Sequence, residues 1–454
     1  MAERENPASF GFVRVAGAVP VCAPAEPTEN ARRIVELAEK ASADGARICV
    51  FPELSVTGYT CGDLFLQRRL EEAVAEAVSH LRKSLPASLV AIVGAPWRNS
   101  GKLFNTALVF SCGRLIGIVP KTFLPNYKEF YEKRWFISGR ASTEPVIRAE
   151  GEEVPFGANL LFRIRGERDV VFGIEICEDL WVPVPPSSYQ ALAGAQLLIN
   201  LSASDETIGK SEYRRYHLVA AQSARCLAGM VYVSSGPGES SSDLVFGGHV
   251  LIAENGTIVA EQRRFQEGPT LTCADLDIDR LTADRDRMGS FADAAQATPV
   301  SFRVIEAPGG PRRAAAVFTR AIEPHPFVPA DPATLDARCE EVANIQAAGL
   351  LRRLRHLTGH RPVLGLSGGL DSALAAMVCA RALHVDGRPP SGLLAISMPG
   401  AGTSTRTREN ARKLAFGLKA ELREIDIRES VALHLKDLNH AGTPDVTFEN
   451  AQAR

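Results

Sequence analysis

Apolar positions in the first half of the chain alternate between strand-like runs and helix-like spacing. Residues 12–19 form an apolar run that predicts a strand. Thr28 then stands where it could cap a helix that carries Ile34 and Ala41 on one apolar face. Further β-rich runs cover residues 47–51, 89–93, 107–110, 170–174, 195–200 and 230–234. Such alternation is typical of a layered α/β fold.

A hairpin is predicted near residue 255. Asn255 and Gly256 separate two apolar runs, and this dipeptide favours the type I′ turn that joins antiparallel strands. A hairpin among helices and strands indicates a mixed sheet or a sandwich of two sheets.

The pattern changes after about residue 276. A charged run at 279–287 is followed by segments rich in proline and glycine at 307–313 and 324–332, which are typical of an inter-domain connection. We therefore predict a first domain at 1–275, a linker region at 276–335 and a second domain at 336–454.

The second domain has the pattern of a doubly wound parallel sheet. A helix is predicted over 333–357, and three short strands then alternate with helices. The predicted strands are 363–366, 393–397 and 421–427, with helices beginning at 372 and spanning about 405–417.

Composition narrows the class of protein. Of 454 residues, 45% are hydrophobic and 23% charged, and the formal net charge is −2. These values are those of an ordinary globular protein, and they disfavour long disorder and an electrostatic nucleic-acid binder.

The ends and cysteines of the chain bear on its compartment. The charged start, residues 1–6, leads into no apolar signal segment, and the sequence has no run of 18 apolar residues. The nine cysteines are scattered without a C-x-x-C spacing, which argues against a disulfide framework or a cysteine zinc site. We expect a cytoplasmic protein with no nucleic-acid or membrane partner.

A candidate phosphate loop lies between a predicted strand and a predicted helix. In Ser367-Gly-Gly-Leu-Asp-Ser372 the glycines let backbone amides approach an anion, and the following helix points its positive end at the same place. Asp371 would repel phosphate unless it binds Mg²⁺ carried with the nucleotide. The loop lacks the lysine of a P-loop. A tight turn without a ligand is the alternative interpretation.

This hexapeptide resembles the pyrophosphate loop of the N-type ATP pyrophosphatases, the family that includes NAD synthetase and GMP synthetase. Residues 398–407 and 448–454 resemble the corresponding segments of NAD synthetases. The resemblance implies ATP and Mg²⁺ as cofactors, with Asp371 as a metal ligand and Asn450 at a deamido-NAD site. The implied ATP-binding residues are Gly365, Leu366, Ser367, Gly368, Gly369, Leu370, Asp371 and Ser372.

Three chemically capable residues lie at the ends of strand-like runs in the first domain. Cys177 could attack an amide carbon, Glu53 could act as its base, and Lys121 could stabilise the thiolate and the oxyanion. Taken singly, each has a plainer interpretation as a packed cysteine, a helix-capping acid or a surface lysine.

The three contexts together resemble the Glu-Lys-Cys triad of the nitrilase superfamily, whose fold is an αββα sandwich. The resemblance covers about residues 10–275 and implies an α/β fold with a nitrilase-like sandwich before a partial Rossmann-like sheet domain. It also implies a glutamine pocket formed by Tyr127, Glu178, Ser204 and Lys210, with Lys210 suited to the α-carboxylate.

A nitrilase-like domain followed by a synthetase domain is the layout of the glutamine-dependent NAD synthetase family. That resemblance implies that ammonia from L-glutamine passes through an internal tunnel to deamido-NAD that ATP has adenylated, and that the enzyme is a homo-oligomer. The family's synthetase domain continues past the segment that ends at Arg454, so we expect impaired synthesis in this chain. The alternatives are a stand-alone nitrilase-type glutaminase or amidase with an inactive nucleotide domain, and a nucleotide-binding regulatory protein.

Overall fold

The computed structural model describes residues 10–149, 151–166, 168–298, 300–310, 318–357, 361–400, 402–443 and 445–453. The chain divides into two compact units, residues 1–321 and 322–454. Each unit is considered by itself below.

Two sheets form the centre of the first unit. Within the described residues, one sheet has six strands in the order β14-β1-β2-β3-β4-β5, and the other has seven in the order β13-β12-β11-β10-β9-β8-β15. The strands of the unit are β1 Phe12–Val19, β2 Ile48–Val50, β3 Val90–Asn99, β4 Lys102–Ser111, β5 Arg114–Pro120, β6 Val146–Ala149, β7 Glu152–Pro155, β8 Leu160–Ile164, β9 Val170–Ile176, β10 Leu197–Ser202, β11 Gly229–Ser234, β12 Val250–Glu254, β13 Thr257–Glu261, β14 Thr270–Asp277 and β15 Arg303–Ala307. Strands β6 and β7 form a separate two-stranded sheet.

Helices cover both outer faces of this pair of sheets. They are α1 Pro27–Ala43, α2 Arg68–Ser84, α3 Pro186–Leu192, α4 Lys210–Glu212, α5 Ala221–Cys226, α6 Ile278–Arg287 and α7 Gly289–Ala297. A π-helical segment, Tyr213–Ala220, joins α4 to α5.

The apolar side chains form three layers of core. Between the sheets, Val15 and Ile92 share one buried cluster with Phe172 and Ile199. A second cluster joins α1 and α2 to the outer face of the first sheet, and a third joins α3 and α5 to the outer face of the second. This arrangement of helix, sheet, sheet and helix confirms the αββα sandwich.

Local sequence signals agree with the structure at the hairpin and differ at the first helix. Asn255 and Gly256 both have positive φ, 43° and 85°, as a type I′ turn requires between β12 and β13. Thr28 does not cap α1 as predicted, because the helix already begins at Pro27, whose ring presets the first helical φ.

The first unit extends beyond the predicted boundary at residue 275. Strand β15 pairs in parallel with β8, so residues 303–307 belong to the second sheet and not to a linker. The charged run at 279–287 lies in α6, whose Ile278 and Leu281 enter the core between the sheets. The sequence pattern did not predict this helix, because its many charged residues obscure the spacing of its few apolar ones.

The second unit contains a parallel sheet with strands in the order β16-β17-β18. A long helix precedes it, and two helices alternate with the strands, as predicted. Among the described residues, two further helices, which the sequence pattern did not predict, follow the last strand. The elements are β16 Val363–Gly365, β17 Leu394–Ser397, β18 Glu421–Glu424, α8 Pro332–His356, α9 Leu370–Val385, α10 Thr405–Gly417, α11 Arg428–Asp437 and α12 Val446–Ala453.

Across the part of the chain that the structure describes, no helix is both long and apolar enough to traverse a lipid bilayer.

Candidate active site

Sheet topology brings three strand ends of the first unit together. Glu53 follows β2, Lys121 follows β5 directly, and Cys177 follows β9 directly. Strands β2 and β3 run parallel, and two antiparallel steps through β4 return β5 to the same direction. The carboxyl ends of β2 and β5 therefore meet at one edge, opposite the end of β9 in the facing sheet.

Glu53 and Lys121 form the centre of a buried ionic network. The Lys121 Nζ donates hydrogen bonds to Glu53 Oε1 and to Glu132 Oε1, each at 2.7 Å. Glu53 Oε1 also accepts a bond from Asn105 Nδ2 at 2.6 Å, and Glu53 Oε2 accepts one from the Ala203 amide at 2.7 Å. Both oxygens of Glu53 are thus fixed in direction.

Cys177 occupies a strained turn beside this network. Its φ is +46°, a left-handed value that is uncommon for a residue with a side chain, and it opens the 3₁₀ turn Cys177–Leu180. Burial and the negative charge of Glu53 raise the pKa of its thiol, whereas Lys121 and a backbone hydrogen bond from Ala203 lower it. Strained backbone that is held by its surroundings is common at functional sites.

The ammonium group of Lys121 stays charged in this buried position. Burial lowers its pKa, but the carboxylates of Glu132 and Glu53 outweigh burial and hold the pKa above the ordinary value. Burial raises the pKa of Glu132 to about 7. A permanent cation therefore lies among two carboxyl groups and a thiol.

A cleft of about 660 Å³ opens onto Cys177. Its walls include all four residues that sequence reasoning assigned to a glutamine pocket, Tyr127, Glu178, Ser204 and Lys210. Residues far apart in sequence thus line one cavity with the candidate nucleophile.

Polar groups in the cleft are already oriented. The Tyr127 hydroxyl lies 2.9 Å from one oxygen of Glu178 and 3.0 Å from the other. Lys210 pairs with Asp205, and its Nζ lies 5.5 Å from the centre of the Trp181 ring and 5.6 Å from that of Phe130. The cleft therefore offers a cation and an anion to a small zwitterionic ligand.

The loop after β16 in the second unit, which the sequence suggests as a phosphate cradle, packs closely against α10. Gly368 has φ +82°, and a Cβ atom there would lie 1.9 Å from the Thr407 carbonyl oxygen, so only glycine fits. Ser367 Oγ accepts a bond from the Gly369 amide at 3.2 Å and lies 3.0 Å from Ser372 Oγ. Helix α9 begins at Leu370, directly after Gly369.

Comparison with known proteins decides the family of the first unit. A family model described as carbon-nitrogen hydrolase matches residues 13–286, more than half of the chain. The chain belongs to the carbon-nitrogen hydrolase family. A second family model, NAD synthase, matches residues 344–454 of this carbon-nitrogen hydrolase.

The relatives share both parts of this architecture. The chain is 42% identical to the glutamine-dependent NAD(+) synthetase of Mycobacterium tuberculosis (strain ATCC 25618 / H37Rv) over 452 residues, which cover 98% of this chain and 66% of that protein. It is also 42% identical to the enzyme of that name from Mycobacterium leprae (strain TN), over 99% of this chain and 67% of that protein. The chain thus spans about two thirds of the length of these relatives.

Solved structures agree on the fold. A crystal structure of a glutamine-dependent NAD(+) synthetase from Cytophaga hutchinsonii matches 97% of this chain and 71% of its own, with a TM-score of 0.52 and 22% identity. At this identity the likeness shows a shared fold.

Sequence reasoning missed part of the buried network around Glu53 and Lys121 in this carbon-nitrogen hydrolase. Glu132 is buried, bonds Lys121, and accepts a hydrogen bond from the Tyr59 hydroxyl at 2.9 Å. Asn105 lies within β4 and reaches Glu53 from there. An acid inside the aromatic segment 130–136 was the available signal for Glu132, whereas an asparagine in a strand gives no comparable signal.

Two predicted residues of the second unit are exposed, as ligand contacts can be before binding. Asp371 lies in the first turn of α9, and Asn450 lies on α12. Within the described residues, no group of three histidine, cysteine, aspartate or glutamate side chains could hold a metal ion. A lone carboxylate next to the proposed phosphate loop fits Mg²⁺ that arrives with a nucleotide, because the nucleotide would supply the other oxygen ligands.

Proposed function

We propose that this chain is a glutamine-dependent NAD synthetase. Its first unit would hydrolyse L-glutamine to glutamate and ammonia. Its second unit would use ATP to adenylate deamido-NAD, and ammonia would then give NAD, AMP and pyrophosphate. The observation that carries the proposal is the cleft in which Cys177, the Glu53–Lys121 pair and four predicted glutamine contacts meet, in a chain that also holds the Ser367–Ser372 loop.

The glutaminase step would proceed through a thioester on Cys177. Glu53 takes the thiol proton, and the sulfur attacks the side-chain amide carbon of glutamine. Lys121 stabilises the thiolate and the oxyanion of the tetrahedral intermediate. Ammonia leaves with a proton returned from Glu53, which then activates the water that releases glutamate and regenerates the thiol.

The charges of the cleft support glutamine as the substrate. Lys210 would bind the α-carboxylate, and Glu178 would bind the α-ammonium group, with Tyr127 holding Glu178 in place. Ser204 would hydrogen-bond the amino-acid part of the substrate from the strand end after β10. A neutral aliphatic amide would use none of the charged contacts.

The second unit would bind ATP at the loop between β16 and α9. Backbone amides of Gly368 and Gly369 and the hydroxyls of Ser367 and Ser372 would surround the phosphates. When bound, Mg²⁺ would supply positive charge against the phosphates, and Asp371 would be the residue that holds it. Asn450 would contact deamido-NAD.

One other function has a specific observation in its favour. Each element of the glutaminase site lies in the first unit alone, so a stand-alone glutaminase or amidase is the second candidate. It differs from the first candidate in requiring neither ATP nor deamido-NAD.

The test is one assay with two products. The purified chain is incubated with L-glutamine, deamido-NAD and Mg-ATP, and glutamate and NAD are quantified in the same samples. Cys177→Ala is the control, and a parallel arm replaces glutamine with ammonium chloride.

The outcomes separate the candidates. The proposal expects glutamate and NAD from glutamine, both lost in Cys177→Ala, and NAD from ammonium in either protein. The impaired synthesis expected from the sequence would appear as less NAD than glutamate. Glutamate without NAD in every arm would contradict the synthetase and favour the second candidate. Absence of glutamate would contradict both.

A further inference from the structure

Asp179 is a buried carboxylate that joins two catalytic strand ends. It is 1% exposed and lies in the 3₁₀ turn that Cys177 opens. Its Oδ1 accepts bonds from the amides of Thr122, at 3.1 Å, and Phe123, at 2.7 Å, and its Oδ2 accepts one from the Ile176 amide at 3.0 Å.

These amides flank the two residues that would carry the chemistry. Thr122 and Phe123 follow Lys121 directly, and Ile176 immediately precedes Cys177. One side chain therefore links the backbone of the Lys121 loop to the backbone of the Cys177 turn, although the loop and the turn lie at the ends of strands from different sheets.

We propose that Asp179 is a positioning residue that fixes the Lys121 ammonium group relative to the Cys177 thiol. Among the described residues, Asp179 forms no hydrogen bond with the Lys121 ammonium group or with the residues that line the cleft. It therefore acts through the two backbone segments that it bonds. The inference rests on the proposed function in that Lys121 and Cys177 are taken as catalytic.

Hydrogen bonds hold the Lys121 loop rigidly from two sides. A carboxylate that accepts several amide bonds is a rigid bridge, because each oxygen is held by a donor of fixed direction. On its other side, the Lys121 loop is held by the Gly139 amide, which donates to the Lys121 carbonyl at 2.8 Å, and by Ser138 Oγ, which donates to the Thr122 carbonyl at 2.6 Å. Tyr127 and Glu178 also join the loop to the turn, through their side chains. Asp179 differs in that it bonds backbone amides on both sides, next to Lys121 and next to Cys177.

Substitution by asparagine would break the bridge while keeping its volume. An asparagine turns one acceptor oxygen into an NH₂ group, which would face either the Phe123 amide or the Ile176 amide, donor against donor. A displacement of the lysine by about 1 Å is enough to cost on the order of 100-fold in rate.

The experiment compares Asp179→Asn and Asp179→Glu with the unmodified chain. Asp179→Glu keeps both acceptor oxygens and a similar charge at a slightly shifted position. Glu175→Gln is the matched control, because Glu175 is also 1% exposed but accepts its backbone bond from Ser187, at the start of α3.

Two readouts are taken for each protein. The first is kcat and KM for glutamine hydrolysis. The second is the rate of alkylation of Cys177 by iodoacetamide against pH, located by peptide mass spectrometry, which needs no glutamine. The charged groups around Asp179 are Lys121 and Glu175, and Lys121 favours the thiolate.

We expect Asp179→Asn to lower kcat by about 10- to 100-fold with KM within about threefold, because the chemistry and not the cleft is displaced. The alkylation midpoint should move to higher pH as Lys121 leaves the thiol. Loss of a nearby negative charge alone would move the midpoint to lower pH. Asp179→Glu should give intermediate values, and Glu175→Gln should match the unmodified chain in both readouts.

Two results would overturn the inference. One is an unchanged midpoint and kcat in both Asp179 variants, whatever happens to their melting temperatures. The other is a shift of the midpoint to lower pH. If Asp179→Asn does not fold, Asp179→Glu decides by the same readouts. Failure of the proposed function is seen separately, as a lack of glutamate from the unmodified chain, and the alkylation readout still tests the positioning.

Discussion

At the scale of single residues, Lys121 is a buried cation whose charge is balanced by two buried carboxylates. It is fully buried between Glu53 and Glu132 and bonds both. Removal of a buried cation leaves its carboxylate partners unpaired, which costs about 3–5 kcal/mol of stability.

Lys121→Met should therefore lower both activity and stability. We expect kcat for glutamine hydrolysis to fall by at least about 10²–10³-fold, because the oxyanion loses its stabilising cation. Steady-state kinetics and thermal melts measure the two effects, and Lys83→Met at an exposed position of α2 is the control. Activity within tenfold of the unmodified chain would contradict the assigned role.

The buried carboxyl group of Glu175 should make the stability of the folded chain depend on pH. Burial, together with the negative charge of Asp179, raises its pKa to about 8. The folded chain therefore holds a proton that the unfolded chain releases near the ordinary pKa of about 4.3. This contribution to stability is complete below that pH and is lost as pH rises through about 8.

Glu175→Gln removes this dependence while keeping the shape of the side chain. At about 1.4 kcal/mol per pKa unit, the contribution is a few kcal/mol. The melting temperature of the unmodified chain should fall more steeply between pH 5 and 9 than that of the variant, as differential scanning fluorimetry can measure. Equal slopes would show that Glu175 titrates at its usual pKa.

At the scale of elements, strand β3 sets the position of the turn that holds Glu53. A Cβ atom on Gly94 would lie 2.3 Å from the Leu54 amide nitrogen and 2.4 Å from the Pro52 carbonyl oxygen. The strand and the Glu53 turn can approach this closely only without a side chain at residue 94.

Gly94→Ala should push the Glu53 turn away from the site. We expect a loss of about 1–3 kcal/mol in stability and at least about a tenfold loss in glutamine hydrolysis. Gly268→Ala, where an added Cβ has no atom within 4 Å, is the matched control. Normal kinetics in Gly94→Ala would show that the turn tolerates displacement.

The close approach of Gly368 to α10 in the second unit leads to a similar prediction for ATP binding. Gly368→Ala would place a Cβ against α10 and force a left-handed φ that costs about 1–2 kcal/mol. Binding of Mg-ATP, measured by calorimetry, should be lost, whereas Gly417→Ala at an open position should bind normally. Unchanged ATP affinity in Gly368→Ala would contradict the assignment of this loop.

Element types were predictable wherever local signals were strong. The hairpin at Asn255-Gly256, the helix Pro332–His356 and the alternation in the second unit all follow from patterns of a few residues. Strand β15 was not predictable, because it pairs with β8, some 140 residues earlier in sequence, beyond a stretch without alternation. Pairing over such a distance depends on the edge that β8 presents in the folded sheet rather than on residues 303–307.

At the scale of the whole molecule, the candidate site was predictable in its residues but not in its assembly. Strand ends marked Glu53, Lys121 and Cys177, and their contexts suggested one chemistry. Their meeting depends on the order of strands in two sheets, which spacing along the chain does not encode. Glu132 and Asp179 make buried contacts to this site that arise only after folding.

The most direct test of the account is to capture the acyl-enzyme. The chain is mixed with L-glutamine, quenched in acid within milliseconds to seconds, and digested for peptide mass spectrometry. The account predicts a mass increase of one glutamyl group on the peptide that carries Cys177, and none in Cys177→Ala. Glutamate release with the adduct on another residue, or undiminished release by Cys177→Ala, would contradict it.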